Sequence, residues 1–309
     1  MAETEPQRLA RLQTNLQRRA AIHEHIRAFF KERDFLEVET PIRAPAIAPE
    51  EFITPFTSDG WFLAASPELH MKRLLAAGYE RIFQFSRCFR QGERGRRHNP
   101  EFTMLEWYRA GADYNQIIID VEGLVKKVAV GLGSKDRIKY QGQAIDIKRP
   151  WPRLTVKEAF LSIAGWDPLM VNDSLRFDTD FVTKVLPAFS PTRPTILTDY
   201  PAWVASLARL KPGNPFAAER AEVFIGGLEL SNAYSELTDA KEQETRFREA
   251  IDQINKERGQ TMPMPDKFLK ALPRLPRCGG VALGVDRLVM LCCDTASIDD
   301  VMAFPEDEA

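Results

Sequence analysis

The sequence predicts an α+β fold, with helices packed around an antiparallel sheet, on three observations. Two alternating strand-like runs, "RIFQFSRCFR" and "EFTMLEWY", flank an arginine-rich turn in the manner of a hairpin, and "AEVFIGGLELSNAYSEL" resumes strand character later. Helical segments are interspersed with these runs and do not alternate with them one for one, which disfavours a doubly wound parallel sheet. The 309 residues are 44% hydrophobic, enough to bury a real core as one large domain or two small ones.

The elements follow in order. Residues 8–33 form an amphipathic helix, with Leu16, Ala20, Ile22, Ile26, Phe29 and Phe30 at three- and four-residue spacing and Asp34 closing it. "FLEVETP" alternates like a strand and stops at Pro41, and "APAIAPEE" is a loop. "SPELHMKRLLAAG" carries a Ser cap, an early Pro and Glu, and a terminal Gly78, the start and stop signals of a helix. Residues 115–129 are helical again. From about 131 to 199 the prolines at 150, 152, 168, 187, 191 and 194 break the pattern into an insertion of short helices. "DAKEQETRFREAIDQINKERG" is a helix with a capping box from Asp239 to Glu242 and a stop at Gly259. "GGVALGVDRLVMLCC" is a Gly-bounded strand running into a buried helix.

Composition removes several function classes. A formal charge of −2 gives no overall footprint for nucleic acid or anionic membrane, although Arg87 to Arg97 form a local basic patch. Cys88, Cys278, Cys292 and Cys293 show no metal-ligand spacing and read as free thiols. No apolar run reaches membrane-spanning length, so a soluble, cytoplasmic protein is expected. "GLGSKDR" lacks the phosphate-loop consensus, and His23 and His25, two apart on a helix, read as surface residues rather than a metal pair.

The chemistry concentrates in two strands and two arginines. Period-two alternation places Phe102, Met104, Glu106 and Tyr108 on one face and Thr103, Leu105 and Trp107 on the other; either could be the core. If the first face is covered, Glu106 needs a cation, either a neighbour such as Arg109 or a ligand. In the later strand Asn232, Tyr234 and Glu236 share a face, with Glu229 on the opposite parity unless a bulge intervenes. Two strands that each offer an aromatic ring and a glutamate suit an ammonium group. Arg90 and Arg287 carry the fork that suits carboxylate and phosphate oxygens; Asp286–Arg287 could equally be an N-cap and a surface charge.

With these residues assembled, nearly the whole chain resembles the catalytic domain of class II aminoacyl-tRNA synthetases, in the lysyl branch. "FLEVETP" is similar to the dimer-interface motif, "FRQGERGRRHNPEFTMLEWY" to the ATP- and amino-acid-binding hairpin, and "GGVALGVDRLVML" to the closing strand–helix motif. "SPELHMKRL", "YPAWVASLAR" and "FIGGLELSNAYSELTD" match the lysyl subgroup. The resemblance implies one catalytic domain over residues 1–309, a mainly antiparallel sheet of six to seven strands flanked by helices, and a homodimer. Lysyl-tRNA synthetases carry an N-terminal OB-fold anticodon-binding domain, whereas here the core begins almost at Met1. A free-standing core resembles the elongation factor P–(R)-β-lysine ligases, and Ala282, where the synthetases have glycine, agrees with that group.

That resemblance implies an ATP-dependent, AMP-forming ligase that activates (R)-β-lysine or lysine and transfers it to a lysine of elongation factor P, with no requirement for tRNA. The alternatives are a truncated lysyl-tRNA synthetase paralogue and an inert lysine-binding module. By matched position, Arg90 would bridge the substrate carboxylate and the α-phosphate, Phe102 would stack on adenine, and His98 would sit near the phosphates. Glu229 would hold Mg²⁺ and Arg287 the γ-phosphate. Glu236 and Tyr108 would take the ε-ammonium, Glu68 and Glu106 the other amino group, and Asn232 would lie near the carboxylate. Ser66, Tyr234 and Ala282 complete the substrate pocket. Two departures stand out: Gly92 occupies the place of the hairpin's usual glutamate, with Glu93 one residue later, and Asn-Gly-Phe becomes Asn232-Ala233-Tyr234.

Overall fold

The computed structural model describes residues 3–309. Helix α1 (Glu5–Lys31) starts where the Thr4 amide donates to Gln7 Oε1 at 3.0 Å, and it ends before Asp34, whose φ of 59° turns the chain. Strand β1 (Leu36–Glu37) is shorter than "FLEVETP" suggests. The strands β2 (Arg43–Ala44), β3 (Thr57–Ser58) and β4 (Trp61–Leu63) make a small separate sheet. Helix α2 (Glu68–Ala76) follows, with the Glu68 amide donating to Ser66 Oγ at 3.0 Å. The long hairpin of β5 (Arg81–Phe89) and β6 (Glu101–Ala110) and the helix α3 (Tyr114–Gly131), capped by Asp113, come next.

The weakly patterned segment is more than an insertion. It contains the hairpin β7 (Arg137–Tyr140) and β8 (Gln143–Asp146), β9 (Arg153–Thr155), α4 (Val156–Ile163), α5 (Ser174–Asp180) and β10 (Thr195–Pro201). Strands β9 and β10 join the main sheet, and β10 is buried at every position. Its run "TILTDYP" lacks alternation because both faces are covered, which removes the polar half of the strand signal.

The chain continues through β11 (Leu210–Lys211), β12 (Asn214–Ile225), β13 (Leu228–Ser235), α6 (Ala240–Arg258), α7 (Asp266–Ala271), β14 (Cys278–Gly284) and α8 (Val285–Cys293). Asp239 accepts from the amides of Lys241 and Glu242, but the Glu242 carboxylate turns to Arg246, so the capping box is only half made. The main sheet has nine strands, ordered β1-β5-β6-β14-β13-β12-β10-β9 with β11 on β12, larger than the six to seven expected. Only β1–β5 and β9–β10 pair in parallel. The architecture is α+β.

One face of this sheet is the core. Leu105, Trp107, Val281 and Leu283 point into it against Ile22, Ile26, Phe29 and Phe30 of α1, Ile117 and Val121 of α3 and Leu288 of α8. Trp107 is wholly buried, with Phe30 edge-on at 5.2 Å. His23 belongs to this side as well. It stacks on Phe85 at 4.6 Å, and burial, then Arg19, lowers its pKa to about 4, so it is not the surface residue expected. His25 lies against Gly131, where a Cβ would meet its ring at 2.3 Å. No helix among the described residues is long and apolar enough to cross a membrane.

Candidate active site

The other face of the sheet carries a cleft of about 700 Å³, and every site residue nominated from the sequence lines it. Strand register assembles the floor. One rung runs from Glu106 through Ala282 and Asn232 to Glu222; the next runs from Tyr108 through Gly280 and Tyr234 to Arg220. Each rung draws on four strands, and alternation turns its side chains to the same face. Glu229 reaches that face because Val223 pairs with Ser231 while Phe224 pairs with Glu229, a bulge at Leu230 that reverses the parity.

Arg90 and Arg287 stand at one end of the cleft. Arg90 lies over Phe102, 5.2 Å from the ring centroid, and 3.5 Å from Glu93; its Nε is buried without a partner. Gly92 adopts φ 79°, which a glutamate side chain would oppose, and Glu93 is the carboxylate that reaches the cleft. Arg287 donates to the Glu229 carbonyl at 2.8 Å and to His98 Nε2 at 2.6 Å. A guanidinium only donates, so His98 is neutral with its lone pair on Nε2; burial, then the Arg287 charge, lowers its pKa. Asp286 is no N-cap. It accepts the Thr103 amide at 2.7 Å and Arg19 at 2.5 Å, tying α8 to β6 and α1 and setting Arg287 in the cleft. Arg94 turns away to Glu306 at 2.9 Å, and Arg97 donates to the Gly227 carbonyl.

The opposite end is acidic. Glu106 is 1% exposed, and neither of its nearest partners is a cation: Ser66 donates to one oxygen at 2.6 Å and Tyr108 to the other at 2.8 Å. Arg109 pairs with Asp120 instead. Burial, then the neighbouring Glu68 charge, pushes the Glu106 carboxyl up to about 8. Tyr108 is therefore engaged by Glu106 rather than turned to Glu236. Glu236, also buried and raised to about 8 by burial, lies 2.5 Å through Oε2 from Lys72 Nζ. Its Oε1 rests on bare Gly280, where a Cβ would stand 2.4 Å from it and 2.2 Å from Tyr108. Tyr234, which stands where the resemblance leads one to expect Phe, has a partner for its hydroxyl in the Asn232 amide, which donates at 3.1 Å.

Three participants were not read from the sequence. Lys72 is 1% exposed and pairs with Glu68 as well as Glu236; the i,i+4 spacing of Glu68 and Lys72 in "ELHMK" was the available signal. Arg220 lies beneath Tyr234 and 4.6 Å from the Tyr200 ring centroid, donating to Glu222 at 2.6 Å. Glu222 faces Asn232 across the sheet, and its pKa is raised by burial and, against the lowering effect of Arg220, by Glu229. Their parity matches that of the cleft, but only the β12–β13 register shows it.

Residues 6–308 match the family described as tRNA synthetases class II (D, K and N). The chain is 40% identical over 308 residues to the elongation factor P–(R)-β-lysine ligase of Proteus mirabilis, covering 94% of each. It is 39% identical over an alignment of 332 positions to that of Pectobacterium carotovorum, covering 100% of each. The lysine–tRNA ligase of Idiomarina loihiensis is 36% identical over an alignment of 314 positions that covers 93% of this chain but 62% of that enzyme. Matched from end to end in sequence, and with its cleft set on an antiparallel sheet, the chain belongs to the class II tRNA synthetase family.

Proposed function

We propose that the chain activates a diamino acid of the lysine type, (R)-β-lysine or lysine, as an aminoacyl adenylate and transfers it to a lysine side chain of elongation factor P. The acidic end of the cleft carries this reading. Glu68, Glu106 and Glu236 converge there with one ammonium, Lys72, so that once the carboxyls give up their protons two negative charges are left for two ammonium groups. The names of the full-length relatives favour elongation factor P as acceptor and (R)-β-lysine as acyl donor. Ala282 supports the same choice. It lies between Glu106 and Asn232, where one methyl group contributes about 1–3 kcal/mol of discrimination.

No side-chain nucleophile is needed. The substrate carboxylate attacks the α-phosphorus in line, the bond to the bridging oxygen breaks, and pyrophosphate leaves. Arg90, held over Phe102, meets the charge that develops between carboxylate and phosphate; Arg287 and neutral His98 hold the departing phosphates. The acceptor amine then attacks the acyl carbon, AMP leaves, and the amine's proton goes to solvent. Among the described residues no group of three or more His, Cys, Asp or Glu forms a metal cage. Glu229 and Glu222 nevertheless fit Mg²⁺, which takes one or two carboxylates and completes its shell with water and phosphate oxygens. Mg²⁺ would there neutralise charge on the phosphates. A cytoplasmic homodimer completes the proposal.

Pyrophosphate exchange with lysine and with (R)-β-lysine, followed by intact-mass analysis of elongation factor P, tests it. Exchange with at least one amino acid and a matching mass increase are expected; no mass increase with either would refute the transfer. The relationship to a lysine–tRNA ligase favours a second reading, charging of tRNA, which aminoacylation preferring tRNA over the protein acceptor would establish.

A further inference from the structure

Lys72 does not line the cleft. Its side chain is 1% exposed and lies behind the wall that Glu68 and Glu236 present. It comes from α2, one turn beyond Glu68, and reaches across to the residue just after β13, where its Nζ stands 2.5 Å from Glu236 Oε2. One oxygen of each glutamate is thus turned back to Lys72. The other oxygen of Glu236 lies over the bare face of Gly280, at the cleft, beside the Tyr108 ring. Burial lowers the pKa of Lys72, but Glu236 and Glu68 outweigh it and keep the ammonium charged.

We propose that Lys72 is a specificity-determining positioning residue: an internal ammonium that cancels one of three carboxylate charges and aims the free oxygens of Glu68 and Glu236, so that the cleft accepts an amino acid with two ammonium groups. This rests on the reading that the cleft binds a lysine-type substrate. With Lys72 the acidic end, once deprotonated by an incoming ammonium ligand, holds two net charges. Without it, three carboxylates would crowd together with no cation between them, and such a cluster retains protons rather than charge. The groups facing Lys72 are Glu68 on its own helix, Glu106 and Tyr108 on β6, Glu236 just after β13 and the Cys278 thiol on β14, with Arg209 beyond it. None of these supplies a second buried cation in contact with Glu68 or Glu236.

The test compares wild type, Lys72→Met, Lys72→Arg and the double variant Lys72→Met/Glu68→Gln. Calorimetry measures binding of lysine and (R)-β-lysine, pyrophosphate exchange measures KM and kcat, and ATP affinity serves as control. In Lys72→Met the amino-acid KM should rise roughly 10- to 100-fold, kcat and ATP affinity should change far less, and the pH dependence of KM should move upward. Lys72→Arg should recover part of the loss. The double variant restores a net charge of two and should bind lysine more tightly than Lys72→Met alone. Where Lys72→Met does not fold, the double variant carries the test against wild type and Glu68→Gln. Unchanged KM and pH profile in Lys72→Met, or a double variant weaker than either single variant, would overturn the proposal. No binding of either amino acid by wild type would instead overturn the function on which it rests.

Discussion

Glu106 offers the sharpest test of the electrostatics. Its carboxyl is buried between the Ser66 and Tyr108 hydroxyls and titrates near 8. At pH 6 only about one molecule in a hundred would carry the charge that an ammonium ligand needs, so binding there must first expel a proton. The penalty is about 1.4 kcal/mol per pH unit well below 8 and levels off there, or roughly 50-fold in affinity between pH 6 and pH 8. Glu236, raised to a similar value, steepens the dependence. Lysine affinity should therefore climb with pH through 8 and fall only as the ligand's own ammonium titrates. Glu106→Gln keeps the shape of the group and removes the proton. Calorimetry in buffers of different ionisation enthalpy should show proton release on binding to wild type near pH 7, and about one proton fewer for Glu106→Gln. The folded chain also holds these protons more tightly than the unfolded chain does. Stability is then lost as pH rises from about 4.5 to about 8, and Glu106→Gln should flatten that fall in thermal melts. A flat affinity from pH 6 to 8.5 with no buffer dependence would falsify the assignment.

Other substitutions separate the remaining parts of the site. Gly280→Ala places a methyl group against Tyr108 and Glu236 and should abolish amino-acid binding while ATP binding persists; normal lysine affinity would show that those side chains can yield. Arg287→Ala should lower pyrophosphate exchange by roughly 100- to 1000-fold with the fold intact, and should raise the pKa of His98, readable by NMR. Ala282→Gly should move preference toward lysine over (R)-β-lysine, measured as the ratio of kcat/KM, and an unchanged ratio would remove the methyl from the discrimination. Trp107→Ala, on the core face of the same strand, should destabilise the fold by about 3–5 kcal/mol in denaturant titrations.

Much of this protein was legible in one dimension because the relevant rules are local. Helix caps and strand alternation depend on neighbours a few residues apart, so α2, α3, α6 and the β5–β6 hairpin could be placed, and Glu106 could be assigned to the face opposite Leu105 and Trp107. The segment that includes β9 and β10 was less legible because a strand covered on both faces loses its alternation.

By itself the sequence determined which residue types share a strand face, where the arginines crowd, and the family to which those motifs belong. Only the tertiary structure decided which charges meet. The bulge at Leu230 brings Glu229 to the cleft, the register of four strands aligns Glu106, Ala282, Asn232 and Glu222, and the docking of α2 delivers Lys72 to Glu236 across 164 positions of chain. Alternation is set by each strand's own backbone, but register and docking depend on packing between distant segments. The partner of a buried charge is chosen by distance in space, which no local pattern encodes.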